Sequence, residues 1–299
     1  MINSIYIYIV NKIINTMNRK IKIMGVLLFA LIMVCMGLYG VSAQVSSQSK
    51  GNATINVSFG SNKHIFSSFA NTSNWAGYVM MPNQNLGQYG VSGIQGSWTV
   101  QKITGTFWGG QAAAQWVGIG GYTTSKVIQT GTVSCDNLFY GTTYKAWYEL
   151  CNAANPSPPA YLPMSVSPGN VMDAYIHNVG TNSWVINITD ISNGQTYQKT
   201  VSFVCSGASG EWIEEWPGGS SGLANFGTAS FGAYYDCGGI DNLVAMNGQQ
   251  YTIEQTSYSK INMVSGKTVL ASTTPLQPSN VPVPDASYDS FQVIWENGS

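Results

Sequence analysis

Residues 183–203, SWVINITDISNGQTYQKTVSF, alternate apolar and polar side chains on both sides of Asn193-Gly194. A period of two puts every second side chain on one face of a strand. Asn-Gly supplies the positive φ values of a tight hairpin turn. The stretch therefore predicts a β-hairpin with one buried face. NVMDAYIHN (170–178) and TYKAWYEL (143–150) alternate in the same way, and QWVGIGGYTTSKVIQTGTV (115–133) reads as two strands joined by a loop. No segment sustains an apolar period of 3.6 over a dozen residues. Many short strands with Gly-rich turns predict an all-β fold, an antiparallel sandwich of two large sheets. STTPLQPSNVPVPDAS (272–287) is a proline-rich crossing, and DSFQVIWE (289–296) reads as a final strand inside the same domain.

The chain has 299 residues. Its first 43 read as a secretory leader: a basic flank, MNRKIK (17–22), an apolar run from Met24 to about Tyr39, and the small residues VSA before Gln44. That run is short for a membrane span, which needs about 20 residues. The expectation is a cleaved signal peptide (1–43), a linker or short pro-segment (44–70), and one sandwich domain (71–299). The mature protein is expected outside the cell, as a monomer without stable membrane association.

From Gln44 onward there are eight lysines and thirteen acids, a formal net charge of −5. No basic patch is present, so nucleic acid is not expected as a partner. A chain rich in both charges becomes strongly cationic in acid and repels itself. A sparsely charged one avoids this, which points to an acidic working environment. Sequons at Asn52, Asn56, Asn71, Asn187 and Asn297 allow a glycosylated surface as the alternative. Past the leader the cysteines are Cys135, Cys151, Cys205 and Cys237; four in a secreted chain predict two disulfides, with the pairing open. No C-x-x-C or His-rich cluster exists, so neither a metal nor another cofactor is expected.

Conventional nucleophile motifs fit poorly. GGSSG (218–222) matches G-x-S-x-G formally, but lacks the strand before and helix after that such an elbow requires. His177 sits in an alternating strand. Acids concentrate in GEWIEEWPGG (210–219), where a strand puts Glu211 and Glu215 on one face and Glu214 on the other. A carboxyl against tryptophan is partly desolvated, which raises its pKa and suits it to proton transfer. A charged edge strand is the plainer reading. In TYKAWYEL, Lys145, Trp147 and Glu149 share a face, as a cleft or a half-exposed sheet would have it.

Five segments in order, SNWAGYV (73–79), AQWVGIGG (114–121), VIQTGT (127–132), YKAWYEL (144–150) and GEWIEEW (210–216), resemble the glutamic peptidases, or eqolisins. The resemblance implies a concanavalin A-like, jelly-roll-type sandwich that hydrolyses polypeptides in acid and is insensitive to pepstatin. It implies a catalytic pair of Gln129 and Glu215, with Trp75, Trp116, Trp147, Glu149 and Glu211 in support. This sequence departs from the family where Gly120 and Lys145 replace acids and Leu150 replaces a tryptophan. Two other readings remain at this stage: a glycoside hydrolase using Glu149 and Glu215, or a non-catalytic carbohydrate-binding module. Neither requires the glutamine turn.

Overall fold

The computed structural model describes residues 40–46, 54–60, 67–105, 110–137, 141–155, 157–279 and 288–298; for the first two stretches only the backbone is described. The predicted leader therefore lies almost wholly outside the described residues. The chain divides into two compact units, Met1–His64 and Ile65–Ser299. In the first, β1 (Gly40–Ser46) pairs antiparallel with β2 (Thr54–Gly60).

The second unit is built almost entirely of strands: β3 (Ser67–Thr72), β4 (Trp75–Met81), β5 (Gly93–Thr99), β6 (Gln111–Gly120), β7 (Lys126–Asn137), β8 (Gly141–Asn152), β9 (Ala160–Tyr161), β10 (Val171–Gly180), β11 (Ser183–Asp190), β12 (Gln195–Ser202), β13 (Gly210–Glu215), β14 (Gly222–Leu223), β15 (Thr228–Phe231), β16 (Leu243–Met246), β17 (Gln249–Thr252), β18 (Ser257–Ser265), β19 (Thr268–Thr273), β20 (Gln277–Pro278) and β21 (Tyr288–Trp295). The opening hairpin is β11–β12, with Gly194 at φ 75° closing the turn. Every strand named from alternation is present.

One layer runs β9, β8, β7, β6, β13, β4, β18 by antiparallel pairing. The other runs β12, β11, β10, β5, and continues through β15, β21 and β19 back to β18. The layers meet face to face: the Trp98 indole N–H on β5 donates to Thr132 Oγ1 on β7 at 2.9 Å, and the Trp212 N–H on β13 donates to the Gln95 carbonyl on β5 at 2.8 Å. The core between them holds Trp98, Trp212, Tyr78, Met172, Ile186 and Phe231. Burying each such side chain contributes about 1.5–3 kcal/mol. The outer face of the first layer carries a second, smaller cluster around Trp116, Trp147, Val79 and Ile213, and the site is built there.

The expected disulfides are corrected by the structure: no disulfide joins Cys135, Cys151, Cys205 and Cys237. Cys135 and Cys151 sit at opposite ends of the β7–β8 hairpin, opposite Thr143 and Val127. Eight residues of strand separate those positions, roughly 26 Å, far beyond the reach of an S–S bond. The Cys205 thiol donates to the Ile119 carbonyl at 3.2 Å, and Cys237 is buried beside the Thr99 hydroxyl. Among the described residues no helix is long and apolar enough to cross a membrane, and no cluster of metal-ligating side chains forms.

Candidate active site

The first layer aligns the predicted residues in neighbouring rows. Glu215 on β13 stands opposite Trp75 on β4 and Ala114 on β6. Two residues along, Trp116 faces Ile213 on one side and Gly131 on the other. Two further along, Gln129 lies between Gly118 and Glu149, and Gly118 lies between Gln129 and Glu211. All these side chains rise from one face, because strand positions two apart share a face.

The glycine after Gln129-Thr130 is a packing requirement. A Cβ at Gly131 would stand 2.1 Å from the Gln115 carbonyl oxygen and 2.5 Å from Trp116 Cβ. Only a bare backbone lets β7 pass under Trp116, and so brings Gln129 beside the tryptophan that holds Glu215.

Gln129, Glu149, Glu215, Trp75 and Trp147 line one cleft of about 720 Å³. The Trp116 N–H donates to Glu215 Oε2 at 2.7 Å, and Asn74 Nδ2 donates to Oε1 at 3.2 Å. The Trp75 indole N–H faces the same carboxylate without closing a hydrogen bond of its own. Burial pushes the Glu215 carboxyl up to about 7, against the indole donors, which favour its charged form; the nearby Glu149 charge adds to the rise. Such a group takes and returns protons near neutrality.

Gln129 is 6% exposed. Its Nε2 donates to Glu149 Oε2 at 2.9 Å, while its own carbonyl oxygen is buried with no donor. Burial raises the Glu149 carboxyl above its ordinary range, and the Gln129 N–H partly offsets this.

The other two glutamates of GEWIEEW divide as alternation predicts. Glu214 points into the interior, fully buried, with Gln101 Nε2 donating to both its oxygens at 3.0 and 3.1 Å. Glu211 shares the face of Glu215, but it is sealed beside Ser209 and Tyr122 and does not line the cleft. Burial holds both well above the usual carboxylate range, so both are neutral in acid. Trp116 lies fully buried beneath the cleft.

The GGSSG stretch is a turn, with no helix after it, and Pro217–Ser220 form one wall of the cleft. The Trp216 N–H anchors that wall on Ser220 Oγ at 2.8 Å. His177 lies away from the cleft on β10, its ring against Tyr175. Asn74 and Gln101 were not singled out by sequence reasoning. Asn74 had a signal, as the residue before a tryptophan that pairs with Glu215. Gln101 had none, since it follows the end of β5 and only the stacking of the layers brings it to Glu214.

The sequence model of the peptidase A4 family matches residues 73–283. Scytalido-glutamic peptidase, solved with a peptide-based transition-state analogue, is similar with a TM-score of 0.55 and 18% identity over 75% of this chain and 98% of that one. A second structure of that enzyme, with a transition-state analogue inhibitor, aligns with a TM-score of 0.56 and 17% identity over the same shares. SCP-B, described as a member of the eqolisin family and solved with the tripeptide Ala-Ile-His, gives 0.53 and 18%, again over 75% and 98%. These structural likenesses concern the fold. No curated protein matches the chain by sequence.

Proposed function

The chain belongs to the peptidase A4 family, the glutamic endopeptidases, and on that premise we propose that it cleaves polypeptides with a Gln129–Glu215 dyad. The observation that carries this is the Glu215 carboxyl: desolvated, oriented by the Trp116 and Asn74 donors, and sharing a cleft with the Gln129 amide. Ionised Glu215 takes a proton from water as that water's oxygen bonds to the scissile carbonyl carbon. The carbonyl oxygen becomes an oxyanion, and the Gln129 N–H donates to it. Glu215–H then gives its proton to the departing nitrogen as the C–N bond breaks, leaving an acid, an amine and the ionised glutamate. One oxyanion donor is typically worth about 3 kcal/mol. An amide donates at every pH, which an Asp does not.

A base raised to about 7 works best near that pH. Below it the ionised share falls as pH falls, so Glu215 disfavours strong acid most, and it is the sparse charge that supports an acidic working range. The leader's composition supports secretion, and we extend the proposal to a monomeric extracellular enzyme that keeps no membrane anchor once the leader is removed.

The test is turnover of an acid-unfolded protein by purified variants, with circular dichroism confirming each fold. Glu215→Gln and Gln129→Ala should lose about 10²–10⁴-fold. Glu214→Gln, on the interior face, should stay near wild type. Pepstatin should not inhibit. Near-normal turnover by Glu215→Gln rejects the dyad. Hydrolysis of polysaccharide, with protein untouched, would install the glycosidase reading on Glu149 and Glu215.

A further inference from the structure

The cleft runs across the strands rather than along them. Its lining passes from Asn74 and Glu215 through Ala114 and Gln129 to Trp147 and Tyr161. At the far rim stands a cation that the dyad chemistry does not use. Lys145 is exposed on β8, two residues from Trp147 and four from Glu149, and so shares their face. It lies in the cross-strand row of Glu215, through Val133 and Ala114. Its ammonium rests over the Tyr161 ring, 4.7 Å from the centre. Burial raises the Cys135 thiol, and the Lys145 charge partly offsets this. Tyr161 and Cys135 both line the cleft, so the charge is delivered to its rim.

We propose that Lys145 sets a substrate preference: it binds the carboxylate of an aspartate or glutamate in the polypeptide, about three or four residues from the scissile bond. This deepens the peptidase reading given above and rests on it. Three strand spacings of about 4.8 Å separate Lys145 from Glu215, roughly 14 Å in all. An extended peptide lying along the cleft advances about 3.3 Å per residue, so about four residues cover that span. The length of the lysine side chain shortens it.

The ammonium is available for such a partner. Among the described residues it meets the Tyr161 ring and no carboxylate. A ring covers one side of an ammonium and leaves N–H bonds on the other for a ligand. Asp136 also borders the cleft, but its carboxyl is turned onto the backbone at Gly105, where an added Cβ would lie 1.9 Å from Oδ2. Tyr161 from β9 and Cys135 from β7 face the ammonium uncharged in acid, since burial raises both. Glu149 and Glu215 stand at the middle of the cleft. Whichever is ionised repels an acidic side chain placed beside the scissile bond, which adds to the preference for the rim. A free glutamate ionises near 4.3. The pair with Lys145 is therefore made above about pH 4 and is lost as pH falls through it.

The test is a set of matched peptides in which one Glu, Gln or Lys is walked through the positions on both sides of the scissile bond. At one position, three or four residues from that bond, the wild-type protein at about pH 5.5 should favour Glu over Gln about two- to fivefold in kcat/KM, the worth of an exposed ion pair. The difference should lie in KM, and it should shrink in 1 M salt. Lys145→Met should bring the ratio to one, and Lys145→Glu should reverse the preference in favour of Lys at the same position. No position that favours Glu over Gln, or a preference that survives in Lys145→Met, overturns the assignment. Cleavage of none of these peptides, nor of an unfolded protein, overturns the peptidase reading instead. Binding of the same Glu and Gln peptides to Glu215→Gln and to Glu215→Gln/Lys145→Met, read by tryptophan fluorescence, then still decides what Lys145 selects.

Discussion

Trp116 sets the chemistry of Glu215 more directly than any neighbour. It is wholly buried, so its ring cannot move away, and its N–H meets the carboxylate at 2.7 Å. That donor favours the charged form and works against burial, which holds the carboxyl at about 7. Trp116→Phe keeps most of the packing and deletes the donor. The Glu215 carboxyl should then rise further, by up to about one pH unit, and the ionised base should become scarcer at any pH below that. A ¹³C titration of the Glu215 carboxyl in both proteins measures this without reference to substrate. An unmoved midpoint would mean that Asn74 and Trp75 alone hold the charge. The three glutamates of one strand show why residue type does not assign a role: Glu214 meets Gln101 in the interior, Glu211 is sealed, and Glu215 alone borders the cleft.

At the scale of elements, the site depends on β7 lying flat against β6. Gly131→Ala would drive a Cβ to within 2.1 Å of the Gln115 carbonyl, a backbone atom that cannot swing aside. The strand must shift, and both Gln129 and Trp116 shift with it. We expect a loss of about 1–3 kcal/mol in stability, as for overpacked cores, and a larger loss of turnover, read by urea unfolding and by cleavage of unfolded protein. A variant matching wild type in both would show that β7 is not pinned here. Much of this element was legible in advance, because alternation in 115–133 and 143–150 fixes which side chains share a face. The same rule separated Glu214 from Glu215. Pairings across the sandwich were not legible: nothing local joins Gln101 to Glu214, or Trp98 to Thr132. The disulfide expectation failed for a related reason. It came from counting cysteines and the secretory leader, while the β7–β8 register sends Cys135 and Cys151 to opposite ends of a hairpin.

For the molecule as a whole, the sparse surface charge and the interior acids bear on the same property. Glu211, Glu214 and Asp289 are fully buried, and Asp241 is 8% exposed. Asp289 on β21 accepts from the Asn242 backbone N–H at 3.1 Å and from Ser290 Oγ at 2.9 Å, and it shares a hydrogen bond with Asp241. Two carboxyls that close cannot both ionise without repulsion. Burial, with the Asp241 charge behind it, pushes Asp289 from its ordinary 3.8 up to about 8. The folded state thus binds this proton more tightly than the unfolded chain does, so stability falls wherever the folded state holds more protons and pH rises. The contribution is complete below about pH 4 and is lost as pH climbs through about 8. Glu211 and Glu214, also raised, act in the same direction. The urea midpoint should therefore be highest in acid and decline steadily toward pH 8, the reverse of a fold held by ionised carboxylates. Asp289→Asn supplies a permanent N–H to Asp241 while its carbonyl can still accept from Ser290 or Asn242. Its midpoint should depend less on pH than wild type's, with the largest gain near pH 8. A wild-type midpoint that rises from pH 4 to pH 8, or an Asp289→Asn slope equal to wild type's, would mean that these buried acids do not set the pH range of the fold.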